Sequence, residues 1–202
     1  MTHHILSTNP DILQQYVKDV LKTAASDVHI VEIHKRLFSS AKTQFIQIAE
    51  VLDQIKKNVF YGKPYDVDKL INNMEALDAA QENLRAAVSY LNVTPKTAIK
   101  IDPDVFHGML GIATESGELL ELLHPYVEQN KIADEIGDIN WYIGVLINAF
   151  KLNWATIQKA NIAKLKARYP DKFDSDRAIN RDIINEKKVL DEILDEIQPA
   201  NA

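Results

Sequence analysis

Asp102-Pro103-Asp104-Val105-Phe106-His107-Gly108-Met109-Leu110-Gly111-Ile112-Ala113-Thr114-Glu115-Ser116-Gly117-Glu118-Leu119-Leu120-Glu121-Leu122-Leu123 reads as a single helix, and it sets the fold class of the whole chain. Asp102 is a capping residue, and Pro103 suits the first turn, where its missing N–H leaves no bond unmade. Pro125 ends the segment, because proline cannot continue a helix. Working outward, helical periodicity recurs and strand-like alternation is weak. Further helices are expected from Pro10-Asp11 to Leu21, from about Val28 to Lys57, and from about Val67 to Leu91. Others should cover Lys131 to Phe150, Trp154 to just before Pro170, and Asp176 to Ile197. The last carries an apolar stripe, Ile179, Ile183, Ile184, Leu190, Ile193, Leu194 and Ile197, that must bury somewhere. Phe60-Tyr61-Gly62-Lys63-Pro64 interrupts the pattern, and Asn92 to Pro103 is a connection with two prolines. The expected fold is an all-α helical bundle. Its halves are 1–100 and 101–202, packed as one compact unit.

Bulk properties narrow the function. The chain has 202 residues, enough for one good-sized core or two small helical units. The formal net charge is −6 and no basic stripe is visible, which argues against a nucleic-acid partner. Nucleotides remain admissible, because bound cations reverse the sign of an acidic site. Without cysteine there is no disulfide, thiolate catalysis or zinc–sulfur site. No signal peptide and no apolar run of membrane-spanning length is evident, so a cytoplasmic protein without a membrane partner is expected.

The two halves echo each other. His34-Lys35-Arg36-Leu37 resembles His107-Gly108-Met109-Leu110, and Glu75-Ala76-Leu77-Asp78 matches Glu135-Ile136-Gly137-Asp138. Leu91-Asn92 parallels Leu152-Asn153. A diverged duplication of one helical hairpin would explain these matches, and chance matching within helical sequence would too.

The chemistry concentrates in four acids. Glu115 and Glu118 sit three apart, so on a helix their carboxylates share a face. Glu135 and Asp138 repeat that spacing on the next helix. A short connection through Pro125 makes the two helices antiparallel neighbours, and the four carboxylates would converge between them. Taken alone, such a pair is usually a solvated face. Here the acids sit in the most apolar part of the chain, and no Lys or Arg occurs from Asp102 to Asn130. Unpaired carboxylates are almost never fully buried, so a cation is the economical partner. Oxygen-only ligands suit Mg²⁺ or Mn²⁺. Gly111, Gly117 and Gly137 lie on the same helices, where each costs about 1 kcal/mol relative to alanine. Close approach of a ligand, or an ordinary tight helix crossing, would account for them.

The run from His107 through Leu119, followed by Ala133-Asp134-Glu135-Ile136-Gly137-Asp138-Ile139-Asn140-Trp141-Tyr142, resembles the E-x-x-E…E-x-x-D signature of MazG-like nucleoside triphosphate pyrophosphohydrolases. The segment Ala160 to Pro170, with Asp171-Lys172-Phe173 and Asn180-Arg181-Asp182 beyond it, resembles the helix that follows that motif. The resemblance covers about Asp104 to Asp182. It implies that Glu115, Glu118, Glu135 and Asp138 hold Mg²⁺, with Mn²⁺ as a substitute, and that Glu118 serves as the base. It further implies attack at the α–β bond of a nucleoside triphosphate, giving a monophosphate and pyrophosphate. Asn161, Lys164 and Arg168 share a helical face that would meet phosphate or base edges, and as plainly would be a polar flank. Lys172 and Arg181 are weaker candidates. Trp141, Tyr142 and Trp154 would stack a base or, more simply, pack the core.

The first half departs from the pattern, with Lys42 and Phe45 standing where Glu115 and Glu118 stand in the second. Phe60 to Asp66 resembles the loop that relatives place between their two acid motifs. Tyr61 and Lys63 would then complete the substrate pocket, so that one chain imitates a family dimer. His34 and His107 would be equivalent helix residues with structural roles. A homodimer stays open beside a self-sufficient chain. Among rival functions, a ferritin-like dimetal oxidase would want Glu-x-x-His pairs, and none follows these acids. A non-catalytic helical scaffold, or a member that binds nucleotide without turnover, is the remaining alternative.

Overall fold

The computed structural model describes residues 10–24 and 29–195. Among them the fold is all-α: eight helices and one two-stranded sheet. In chain order these are α1 (Pro10–Thr23), β1 (Val31–Ile33), α2 (Lys35–Tyr61), α3 (Val67–Ser89), β2 (Thr97–Ile99), α4 (Pro103–Glu121), α5 (Gln129–Ala149), α6 (Trp154–Arg168), α7 (Ser175–Ile179) and α8 (Ile183–Asp195). No described helix is long and apolar enough to cross a membrane.

The boundaries follow local chemistry. Asp102 accepts hydrogen bonds from the backbone N–H of Asp104 and Val105, with Pro103 in the first turn of α4. Asp66 caps α3 in the same way through the Lys69 N–H. Gly62 ends α2 with a φ of +68°, and the N–H groups of Gly62 and Lys63 return to the carbonyls of Asn58 and Lys57. That doubled return needs a left-handed residue, which glycine supplies without strain.

Three expectations are corrected. Residues 31–33 pair with 97–99 as a small sheet, so α2 begins at Lys35; Val28 lies outside the described residues. His34 is therefore the residue before α2, while His107 lies within α4, and the two are not equivalent helix positions. The long C-terminal helix is two helices. Asp174 caps α7 through the Arg177 N–H, and Asp182 caps the start of α8 through the Asn185 N–H. The fresh helix start at Ile183 breaks the stripe's register, and Ile183 and Ile184 are exposed. Ile197 lies outside the described residues.

The chain divides into two compact units, each drawn from separated stretches. One comprises Met1–Val31, Lys100–Lys164 and Lys187–Ala202, and the other Glu32–Ile99 and Leu165–Glu186. The first is built on the α4–α5 hairpin, with α1 laid on α5. Val20 of α1 sits over Gly144, where a Cβ would come within 3.0 Å of a Val20 methyl. Trp141 Nε1 donates to Thr23 Oγ1 at 2.8 Å, which fixes the end of α1. Among the described residues, Val17, Val20, Val31, Val145, Ile147 and Ala160 are its buried apolar residues. The second unit is built on the α2–α3 hairpin, with α7 against α2. Its buried residues in the hairpin are small or polar: Ser40, Asn73, Ala80 and Ala87.

Candidate metal centre

α4 and α5 approach closely because glycines open the way. At Gly111 an added Cβ would lie 2.2 Å from the Tyr142 ring, and at Gly108 it would lie 2.7 Å from Leu146. Both glycines are buried. The ring of Tyr142 thus rests where a side chain would stand, and its neighbours His107 and Trp141 meet it edge to face at 5.3 and 4.9 Å. This cluster packs the hairpin. Gly108 lies one helical turn from Gly111 on the crossing side, a placement that no acid motif in the sequence marks. Gly117 and Gly137 are different, because nothing lies within 4 Å of either Cβ position. Neither serves the helix crossing.

Where the two helices run side by side, the carboxylate oxygens of Glu115, Glu118 and Glu135 lie within 4.8 Å of one another. That separation is one a single cation spans, since oxygen ligands sit about 2.0–2.6 Å from Mg²⁺ or Ca²⁺. Asp138 is outside this trio, one turn along α5, and near enough for its charge to act on Glu115, Glu135 and the phenols of Tyr16 and Tyr142. The acids are less enclosed than their apolar surroundings in the sequence suggest. Glu115 and Glu135 are half-buried, and Glu118 and Asp138 are exposed. A helix face one residue wide can be polar inside an apolar sequence, because flanking leucines point elsewhere.

The electrostatics carry the strain of gathered like charges. Partial desolvation, then the charges of Glu118 and Asp138, push the Glu115 carboxyl above the ordinary range, against a weak opposing bond from Thr114. Glu135 is raised in turn by desolvation and by Glu118, Glu115, Asp134 and Asp138. The Tyr142 hydroxyl is raised by burial and by Glu115, Asp138 and Glu118. Tyr16, reaching in from α1, is raised by burial and by Asp138. A cation among the oxygens would offset the like-charge part of these shifts, leaving the part due to desolvation. The approach of α1 to this acidic end was not legible in the sequence, because nothing in its apolar spacing names α5 as its neighbour.

The other candidates are placed as follows. Asn161 is exposed and Lys164 half-buried on α6, in the same unit as the acids. Arg168, Lys172, Arg181, Tyr61 and Lys63 belong to the other unit. Arg168 is engaged there: its Nε and Nη2 donate to the Glu186 carboxylate at 2.8 and 2.5 Å. Arg181 forks onto the same carboxylate at 3.2 and 2.5 Å. Glu186 is only 3% exposed, so it is held by two guanidinium groups at a buried position. Tyr61 stacks on Phe173 at a tilt, with 5.7 Å between the rings. The Lys63 carbonyl accepts from Asn58 Nδ2, which fixes the turn after α2. Trp154 meets the edge of Tyr16 at 6.1 Å. Lys42 and Phe45 are exposed on α2. No protein-family model, curated protein or solved structure matches the chain.

Proposed function

We propose that the chain is a metal-dependent nucleoside triphosphate pyrophosphohydrolase of the MazG-like kind, converting an NTP or dNTP and water to a monophosphate and pyrophosphate. The observation that carries this is the meeting of Glu115, Glu118 and Glu135 from two adjacent helices, their oxygens within 4.8 Å of one another. The donor set is all carboxylate, which fits Mg²⁺ or Mn²⁺ and disfavours softer ions. Glu115, Glu118 and Glu135 would hold the ion, with Asp138 one turn away to bind a second ion or an ordered water. Bound there, Mg²⁺ would supply charge neutralisation of the triphosphate and a more acidic water.

The remaining work falls to the chain. Glu118, the exposed member of the trio, accepts the proton of the attacking water. The water oxygen forms a bond to the α-phosphorus, the bond from that phosphorus to the bridging oxygen breaks, and pyrophosphate departs with the bonding pair. Glu115 and Glu135, half-buried, fix the geometry of the oxygens. Asn161 and Lys164 on α6 are the residues of the same unit offered to phosphate.

The test is an assay of monophosphate and pyrophosphate from a panel of NTPs and dNTPs with Mg²⁺. Equimolar products are expected from the wild type, with kcat down by about 10² or more in Glu118→Gln, the usual worth of a general base. Glu135→Gln should lose activity that high Mg²⁺ partly restores. No product with any nucleotide, under Mg²⁺ or Mn²⁺, would sink the proposal and leave a non-catalytic helical scaffold.

A further inference from the structure

The start of α2 opens onto a recess of about 410 Å³, lined wholly from the second unit. That volume is within the range of small-molecule sites, about 300–1,000 Å³. One wall is the cap residue His34 with Lys35, Arg36 and Leu37 of the first turn of α2. The other comes from the end of α3 and the loop after it, where Ala86, Tyr90 and Val93 stand. Its charge is one-sided, since no acidic side chain is among the described residues that line it. Lys35 and Arg36 sit at the positive end of the helix dipole, where cations are disfavoured, and the first turn holds no acid to offset them. Both are exposed, and among the described residues neither side chain has an ion pair or a hydrogen bond. The His34 side chain does not cap the helix, so the N–H groups of the first turn have no side-chain acceptor there. Its Nδ1 is buried without a hydrogen-bond partner among the described residues. The other wall is apolar and uncovered, with Tyr90 59% and Val93 77% exposed.

We propose that this recess binds a small organic phosphate carrying a flat ring, the chemistry of a nucleoside monophosphate. The phosphate lies at the first turn of α2, where unpaired N–H groups, the dipole, Lys35 and Arg36 act on it together. Two cations suit a dianion better than a single carboxylate, and the fork of the Arg36 guanidinium matches paired phosphate oxygens. The ring lies on Tyr90, whose aromatic face accepts a heterocycle of any kind by stacking. Ala86 carries only a methyl group, which leaves room for that ring. The site is distinct from the carboxylates of α4 and α5, which belong to the first unit and whose charge repels phosphate when no cation is bound. It does not rest on the hydrolase reading.

The test is a titration of the full chain in EDTA, followed by calorimetry and by amide NMR. The probes are purine and pyrimidine nucleoside monophosphates, their nucleosides, and inorganic phosphate. A monophosphate should bind once per chain, about tenfold or more tighter than its nucleoside or inorganic phosphate. It should shift the amides of Lys35, Arg36, Leu37 and Thr94 and leave those of Glu115 to Asp138 in place. Lys35→Ala with Arg36→Ala should weaken it by about tenfold or more, as the loss of charge-assisted hydrogen bonds does. Tyr90→Ala should weaken the monophosphate about tenfold and leave inorganic phosphate unchanged. All three side chains are exposed, so helical circular dichroism should be retained. If a variant loses its helicity, the amide shifts of the wild type decide. A wild type that binds no monophosphate overturns the proposal. So does binding indifferent to either variant, fragments that bind as tightly as the whole, or shifts confined to the acids. None of these readouts depends on metal or turnover, so the hydrolase proposal and this one fail separately.

Discussion

At the residue scale, six glycines and four acids carry most of the meaning. Gly111→Ala drives a Cβ to 2.2 Å from the Tyr142 ring. Overpacking of that kind costs about 1–3 kcal/mol, against a helix-propensity gain of about 1 kcal/mol. A net loss of stability is expected, read as a lower urea midpoint. Gly117→Ala and Gly137→Ala meet nothing within 4 Å, so each should gain up to about 1 kcal/mol. If either glycine admits a substrate, the same alanine will also raise KM. The acids make a second residue-scale prediction. Glu115 and Glu135 bind protons more tightly folded than unfolded, because desolvation and each other's charge disfavour their ionised forms. Their effect on folding is therefore unfavourable once ionised: without metal, stability falls as pH climbs from the ordinary glutamate range through their raised values. The thermal midpoint in EDTA should show that decline. A Glu115→Gln, Glu135→Gln double variant should flatten it.

At the element scale, the carboxylate of Glu186 at the start of α8 is a junction, gripped by Arg168 from the end of α6 and by Arg181 from the turn between α7 and α8. Those two guanidinium groups hold Glu186 down to about 2. Its sign is opposite to that of Glu115 and Glu135. The stability it contributes is present above the ordinary glutamate value of 4.5 and is lost as pH falls toward 2. Glu186→Gln removes a buried charge from two cations and should cost about 3 kcal/mol, as breaking a buried ion pair does. Chemical denaturation at neutral pH would measure it, and the gap between variant and wild type should close in acid. Helix ends are the part of this scale that sequence revealed. Asp102 with Pro103, and the Phe60–Pro64 interruption, act through bonds to residues within a few positions. The break of the C-terminal helix was not read, though Asp174 and Asp182 are ordinary caps, because a long apolar stripe outweighed two local signals.

At the scale of the whole molecule, the proposed metal binding would be linked to folding. An ion that binds only the folded chain stabilises it by about 2.7 kcal/mol at a hundredfold excess over its dissociation constant. Mg²⁺ should therefore raise the melting temperature of the wild type and leave that of a Glu115→Gln, Glu135→Gln chain unchanged, whether or not any nucleotide is turned over. An equal rise in both would show that the ion binds elsewhere.

The sequence by itself determined the helical class, most helix limits, and the pairing of Glu115 with Glu118 and of Glu135 with Asp138. Each of these depends on spacing within one helix, and the backbone's period fixes such geometry without reference to anything distant. Only the tertiary structure decided that Glu115, Glu118 and Glu135 meet while Asp138 stands a turn away. The same holds for α1 laying Tyr16 beside the acids, Arg168 being taken by Glu186, and α2 leaving Phe45, Ile48, Leu52, Ile55 and Val59 exposed. Those outcomes depend on which helix faces which and at what rotation. That is settled by the packing of many side chains at once, here by the notch that Gly108 and Gly111 open for Tyr142 and Leu146, and periodicity along one helix carries no record of it.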